Sequence, residues 1–161
     1  MAENAILQQI TAFLEGSKSP LPTFSDDEIA ALYALAFEMY RNGKYSEAMP
    51  FFRFLTILSP DDRKYWMGLG ACYQMQKRYQ AAIECYSVAA VQNPNDPIVH
   101  WHAANCFFDD GKLDIAIKTL DSALTVAKIS SKDESFVPQL ELVRSRWIER
   151  EGSLCQEAEN Q

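Results

Sequence analysis

The amino-acid sequence predicts an all-α protein in which three tandem helix-turn-helix repeats form a solenoid, with one further helix at each end. Three observations predict this fold class. Apolar residues recur at helical spacing, glycine and proline are few (6 and 7 residues) and stand between the apolar runs, and the chain repeats itself with a period of 34 residues. With 161 residues, 48% of them hydrophobic, the chain is long enough to bury a sizeable core.

Three segments, residues 29–62, 63–96 and 97–130, align without a gap. Larger apolar residues such as Leu35 and Leu69 recur at the seventh place, and we assign them to contacts between helices. Small residues stand at the eighth and twentieth places of every segment, which predicts that two helices cross closely there: Ala36, Gly70 and Ala104, then Ala48, Ala82 and Ala116.

The stretch Gly68-Leu69-Gly70 has the glycine spacing of a phosphate-binding loop, but such a loop needs a strand before it and a helix starting after it. Here the helical spacing runs straight through the glycines. We therefore expect both glycines inside a helix, with Gly70 opposite Ala82 of the partner helix.

Helix boundaries agree with this frame. Ser25 and Glu28 have the spacing of a capping box, which predicts a helix that begins just after Ser25. Asp96 precedes Pro97, as an N-cap precedes a proline at the first helical position. Turns inside the three repeats are predicted at 42–44, 76–78 and 110–112.

The flanking segments complete the domain plan. Residues 1–24 predict a short amphipathic helix, with Ile6, Ile10 and Phe13 on one face, and a linker. Because so short a helix is marginal alone, we expect this face to be covered by a second copy in a symmetric homodimer. Residues 25–130 hold the repeats, residues 131–150 a helix that caps the last apolar face, and residues 151–161 a flexible tail.

Composition and charge argue against several kinds of function. A formal net charge of −7 disfavours a nucleic-acid partner, and no run of 18 apolar residues offers a membrane span. The first ten residues lack the features of a secretion signal. The 4 cysteines fit no zinc spacing, and we find no nucleophile–base pair. We expect no enzymatic activity, no metal, no cofactor, and a cytoplasmic protein with free thiols.

The period and its small-residue pattern resemble the tetratricopeptide repeat. This resemblance implies that the first helix of each unit lines a concave groove through its second, fifth, ninth and twelfth places. Several of these places carry large apolar side chains that packing does not require, which favours a binding surface for an extended apolar segment. The expected peptide-binding residues at these places are Tyr33, Phe37 and Tyr40, then Lys64, Met67, Ala71 and Gln74, then Trp101, Asn105 and Phe108.

Longer stretches, namely LYALAFEMYRNGKYSEAMPFFRFLTILSP, MGLGACYQMQKRYQAAIECYSVAA and HAANCFFDDGKL, closely resemble the class II chaperones of bacterial type III secretion systems. The resemblance runs from Ile6 to Trp147 and adds Tyr45, Leu58 and Tyr86 as partner-binding positions. It implies a hydrophobic translocator protein as partner, bound through an extended segment with a P-x-L-x-x-P-like motif. The chaperone would keep that partner soluble and unassembled until export, without ATP.

The residues alone leave a second interpretation open. A generic tetratricopeptide-repeat scaffold inside a multiprotein complex would show the same period and the same small-residue pattern. The identity of the bound partner separates a scaffold from a secretion chaperone.

Overall fold

The computed structural model describes residues 8, 10–13, 15, 16, 24–130 and 134–159, and the chain divides into two compact units, Met1–Lys77 and Arg78–Gln161. Every regular element in the described ranges is helical, which confirms the all-α prediction.

The first unit contains three long helices, α1 (Asp26–Arg41), α2 (Tyr45–Leu58) and α3 (Arg63–Met75), preceded by helical residues at 10–13. Helix α1 packs against α2, and α2 packs against α3. The centre of this unit consists of side chains with at most 1% exposure, namely Ala36, Ala48, Phe52, Phe54, Leu55 and Cys72.

The second unit contains α4 (Tyr79–Gln92), α5 (Pro97–Asp109) and α6 (Leu113–Ile129). A 3-10 turn at Glu134–Phe136 then leads into α7 (Val137–Glu159). Each helix packs against the next one along the chain. The core side chains with no exposed area include Tyr86, Ala104, Cys106, Leu120 and Leu140.

Helices α1 and α5 start at the predicted caps, and α3 has a further cap at Asp62. The Ser25 backbone N–H donates to Glu28 Oε2 at 2.8 Å, and the Glu28 N–H donates to Ser25 Oγ at 3.3 Å, which completes the capping box. Asp62 and Asp96, 34 residues apart, cap α3 and α5 by accepting the backbone N–H two residues ahead.

The three turns inside the repeats share one backbone conformation. Gly43, Lys77 and Gly111 have φ values of 76°, 60° and 79°, all in the left-handed region. Glycine adopts this region freely, whereas a side chain with a Cβ pays on the order of 1 kcal/mol. The turn at Lys77 is therefore the most strained of the three.

The small residues at the eighth and twentieth places are buried, but one expectation needs correction. Leu35, predicted to lie between helices, is 39% exposed, whereas the equivalent Leu69 is 4% exposed. The difference arises because α1 is the first repeat helix, so that no described repeat helix precedes it to cover this face. Within the GLG stretch, an added Cβ at Gly68 would overlap the Phe52 ring, so that α2 and α3 approach closely there. The expected close approach of Gly70 to Ala82 stays a prediction.

The C-terminal boundary also differs from the prediction. Helix α7 does not end near residue 150 but continues to Glu159, through Gly152. A single helical glycine costs about 1 kcal/mol relative to alanine, which is too little to end a helix whose neighbours are good helix formers. The flexible tail predicted for 151–161 is therefore helical up to residue 159.

Ile10 and Phe13, in the described part of the N-terminal segment, have contacts within their own unit. Ile10 is only 2% exposed, and the Phe13 ring meets Phe54 of α2 edge-on at 6.0 Å. The predicted contact of Ile6 and the predicted linker between residues 17 and 23 lie outside the described residues.

Candidate functional site

Four aromatic rings meet on the first unit, and we refer to Tyr33, Phe37, Phe52 and Tyr65 as the Tyr33 cluster. Tyr33 and Phe37 stand one turn apart on α1, and their rings stack with centroids 6.1 Å apart and an interplanar angle of 17°. Tyr33 also lies 6.1 Å from Phe52 and 5.7 Å from Tyr65. Phe52 and Tyr65 are buried, Tyr33 is half-buried and Phe37 is 44% exposed.

The exposed part of this cluster rests on a rigid base. Phe52 is 1% exposed and its ring lies against the backbone of Gly68, so that the ring has no space to move deeper into the core. Tyr33 and Phe37 therefore present a fixed apolar surface on one side of α1. Pre-positioned rings of this kind bind an apolar side chain with little further loss of entropy.

Lys64 lies over the same cluster. Its ammonium Nζ is 4.8 Å from the Tyr65 ring centroid and 5.5 Å from that of Tyr33, within the range of cation–π attraction. The same Nζ is 2.8 Å from Asp62 Oδ2. The hydrogen bond to Asp62 is the largest cause of the raised pKa of Lys64, so that the ammonium stays charged.

A second pair of rings continues the aromatic surface of the unit. Tyr40 at the end of α1 meets Tyr45 at the start of α2, with centroids 5.4 Å apart. Burial raises the pKa of the Tyr40 phenol, with smaller contributions from Tyr45 and Cys72. Both rings are half-buried, so that each can offer a ring face and a hydroxyl group to a partner.

The remaining site residues of the first unit fall into two groups. Lys64, Met67, Ala71 and Gln74 follow one another at helical spacings of three and four, so that they share one stripe of α3. Leu58 is the last residue of α2, about 20 Å from Tyr45 at the other end of that helix, and is not part of either ring group.

In the second unit, two of the predicted site residues lie against the C-terminal helix. The Trp147 ring of α7 stacks on Phe108 with centroids 4.5 Å apart and lies parallel to Trp101 at 6.3 Å. Phe136 meets Trp101 edge-on at 6.1 Å, and the Arg150 guanidinium lies 5.0 Å from the Phe108 ring. These contacts leave Trp101 and Phe108 half-buried.

Tyr86, which the family resemblance marks as a partner-binding position, lies in the core of the unit. Its side chain has no exposed area and its ring stacks on His102 at 5.3 Å. Burial lowers the pKa of His102, so that this stack is uncharged near neutral pH. Asn105 is half-buried and donates its side-chain N–H to the carbonyl oxygen of Trp101 at 2.9 Å.

Sequence reasoning missed three residues that shape these surfaces. Asp62 holds Lys64, Tyr65 lies beneath it, and Trp147 covers the rings of α5. The sequence predicted a helix cap at Asp96 but none at Asp62, and a cap in any case gives no hint of a second bond to a side chain. Trp147 was assigned to a capping helix, and its exact ring partners depend on packing rather than on periodicity.

Other features of the described residues offer no comparable site. A cleft of about 550 Å³ between α6 and α7 is lined by polar groups that already form pairs, since Arg144 binds Asp121 and Lys128 lies 2.7 Å from Glu141. In the described ranges there is no group of three or more potential metal ligands, and none of the helices there has the length and apolar character needed to cross a bilayer.

Comparison with known proteins identifies a repeat family and similar proteins. The model of the tetratricopeptide repeat matches residues 29–62 and 64–96. The chain is 38% identical over 98 residues to Low calcium response locus protein H of Yersinia pestis. That alignment covers 61% of this chain and 58% of the relative, so that the chain spans somewhat more than half the length of this curated protein.

Solved structures match over more of the chain. PcrH in complex with the chaperone binding region of PopD is 32% identical with a TM-score of 0.77, and the match covers 82% of this chain and 99% of PcrH. The Yersinia enterocolitica type III secretion translocator chaperone SycD is 30% identical with a TM-score of 0.74, over 81% of this chain and 90% of SycD. SycD has also been solved as an alternative dimer and in complex with a peptide of the translocator YopD.

Proposed function

Because this chain belongs to the family of type III secretion translocator chaperones, we propose that it binds hydrophobic translocator proteins and keeps them soluble and unassembled before export. The bound part is an extended translocator segment with spaced apolar side chains, which lies on the Tyr33 cluster and the neighbouring Tyr40–Tyr45 pair. The role is one of binding in the bacterial cytoplasm, without catalysis.

The observation that carries this proposal is the exposed Phe37 ring stacked on Tyr33. Phe37 is 44% exposed, so that a partner can still cover it, while Tyr33 in turn contacts the buried rings of Phe52 and Tyr65. The solved relatives hold chaperone-binding segments of translocators, which is the class of partner that such a surface fits. A proline-containing segment is already extended and loses little entropy when it binds.

The second unit plays a smaller part in this proposal. The rings of Trp101 and Phe108 are already in contact with Trp147, so that only their uncovered edges, together with Asn105, are available to a partner. Tyr86 contributes by packing alone, because its side chain has no exposed area.

The size of the Phe37 contribution can be worked out from its exposure. An aromatic side chain offers about 200 Å² in total, so that 44% exposure leaves about 90 Å² for a partner to cover. At about 25 cal/mol per Å², full coverage would stabilise the complex by about 2 kcal/mol, or about 30-fold in affinity. A glutamate at this place would lose that gain and would also bring an unpaired charge into the interface.

We therefore expect the Phe37→Glu variant to bind a labelled peptide with a P-x-L-x-x-P sequence at least 30-fold more weakly than the parent, measured by fluorescence anisotropy. Folding should survive because Phe37 is the exposed member of the cluster. The control variant Gln80→Glu adds the same charge at an exposed place on α4 and should bind as the parent does. Parent-like affinity of a helical Phe37→Glu variant would show that the segment binds elsewhere.

Co-expression separates the chaperone from the generic scaffold. The protein should render one otherwise insoluble, membrane-active product of a neighbouring gene soluble, and Phe37→Glu should abolish that rescue. The scaffold would be favoured if the protein made none of the neighbouring gene products soluble and instead associated stably with several soluble proteins.

We also propose a homodimer, since SycD has been solved as a dimer. The N-terminal segment is the candidate contact, although Ile10 and Phe13 already have cover within the chain and Ile6 lies outside the described residues. Deletion of residues 1–19 should give a helical monomer that is less stable than the parent, because Phe54 loses its contact with Phe13. Sedimentation velocity would contradict this assignment if the shortened chain still ran as a dimer.

A further inference from the structure

The ammonium of Lys64 lies beside the Tyr33 cluster, and the carboxylate of Asp62 holds it there. Asp62 uses both carboxylate oxygens on the same residue: Oδ1 accepts the Lys64 backbone N–H at 3.1 Å, and Oδ2 lies 2.8 Å from the Lys64 ammonium. The Lys64 ammonium thereby lies over the rings of Tyr65 and Tyr33.

The ammonium is nevertheless available to a partner. The Lys64 and Asp62 side chains are 51% and 34% exposed, so that their ion pair faces water and can exchange its partner. The four members of the cluster are uncharged, whereas the whole chain has a formal net charge of −7. Lys64 thus places a local cation beside the apolar surface of an otherwise acidic protein.

We propose that Lys64 gives the Tyr33 cluster a preference for translocator segments in which an acidic residue stands next to the apolar residue that covers Phe37, and that Asp62 is the competing anion. This inference rests on the proposed function and adds a charge specificity to it. A client carboxylate replaces Asp62 as the partner of the ammonium, while the lysine stem stays over Tyr65.

The alternative is a packing role, in which the aliphatic stem of Lys64 only shields Tyr65 from water, as long charged side chains often do. The two interpretations differ in the effect of charge at constant shape. Lys64→Met keeps an unbranched stem over the rings and removes the ammonium. Asp62→Asn keeps a capping oxygen for α3 and removes the competing carboxylate.

The test uses three synthetic peptides that differ only at the x positions of a Pro-x-Leu-x-x-Pro sequence, which hold glutamate, glutamine or lysine. The measured quantity is the ratio of affinities for the glutamate and glutamine peptides, by fluorescence anisotropy at low ionic strength. Lys118→Met and Asp61→Asn are the matched controls, because they make the same changes of net charge at exposed side chains that are not members of the cluster.

Lys64→Met should lower the ratio by about twofold to fivefold, the range expected for one solvent-facing ion pair, and Asp62→Asn should raise it by a similar factor. For the ratio of affinities for the lysine and glutamine peptides, the changes should be opposite: Lys64→Met should raise this ratio, and Asp62→Asn should lower it. All differences should vanish near 1 M salt, where charges are screened within about 3 Å. The controls should leave the ratio close to that of the parent.

Two results would contradict the charge preference without contradicting the proposed peptide-binding function. One is an equal ratio in Lys64→Met and Lys118→Met, and the other is an equal loss of both peptides in Lys64→Met, which would assign Lys64 to packing alone. A parent protein that is helical but binds none of the three peptides would instead refute the proposed function, and the role of Lys64 with it.

Discussion

Gly68 offers a sharp test of how closely α2 and α3 cross. A Cβ at this position would overlap the ring of Phe52, which is 1% exposed and already in contact with Tyr33. Overpacking of a core typically costs about 1–3 kcal/mol, and alanine in place of a helical glycine returns up to about 1 kcal/mol. We therefore expect Gly68→Ala to lower the free energy of unfolding by about 1–2 kcal/mol, measured by urea denaturation followed by circular dichroism.

The same substitution at Gly152 is the matched control. Gly152 also lies inside a helix, but an added Cβ there meets no atom within 4 Å, so that only the propensity gain of up to about 1 kcal/mol remains. Because Phe52 supports Tyr33, Gly68→Ala should also weaken peptide binding, whereas Gly152→Ala should not. A Gly68→Ala variant as stable as Gly152→Ala would refute the close crossing at Phe52.

Two further predictions concern the second unit. Trp147→Ala removes a ring that is 7% exposed and should lower the free energy of unfolding by about 3–5 kcal/mol, measured by urea denaturation. The control Ile148→Ala changes a side chain that is 39% exposed and should cost less. Equal losses in the two variants would contradict the stacking role of Trp147. Burial raises the pKa of Cys85 and of Cys106 from 9.0 to about 12, so that their contribution to stability is complete below pH 9 and is lost as the pH rises towards 12. The decline should reach about 1.4 kcal/mol per pH unit for each thiol, and replacing both cysteines by alanine should flatten it; an unchanged pH dependence would contradict this.

The helical plan of the chain could be predicted because its signals are local. The capping box at Ser25, the N-cap at Asp96 and the turns with glycine depend on residues that are neighbours in sequence. The small residues at the eighth and twentieth places are buried as expected, since the period reports on helix contacts directly.

The features that could not be predicted depend on contacts between distant residues or on where the solenoid ends. Leu35 occupies a core place of the repeat but belongs to its first helix, so that periodicity alone assigns it wrongly. The pattern gave Trp101 and Phe108 as partner-facing, yet the ring of Trp147, 39 residues beyond Phe108, covers them in part. The ion pair between Asp62 and Lys64 depends on side-chain geometry, which the spacing of residues in the sequence does not determine.

The stacked rings of α5 and α7 also give the molecule an optical label. The chain has three tryptophans, and two of them, Trp101 and Trp147, lie almost parallel at 6.3 Å in the second unit, a distance at which the excited states of two indoles couple. The third, Trp66, belongs to the first unit, where its indole N–H donates to the carbonyl oxygen of Pro60 at 2.7 Å. A coupled near-ultraviolet dichroism band therefore reports on the second unit, while the emission that remains after Trp101→Phe and Trp147→Phe reports on the first. The protein thus carries two separate spectroscopic reporters, one for each unit, without any added dye.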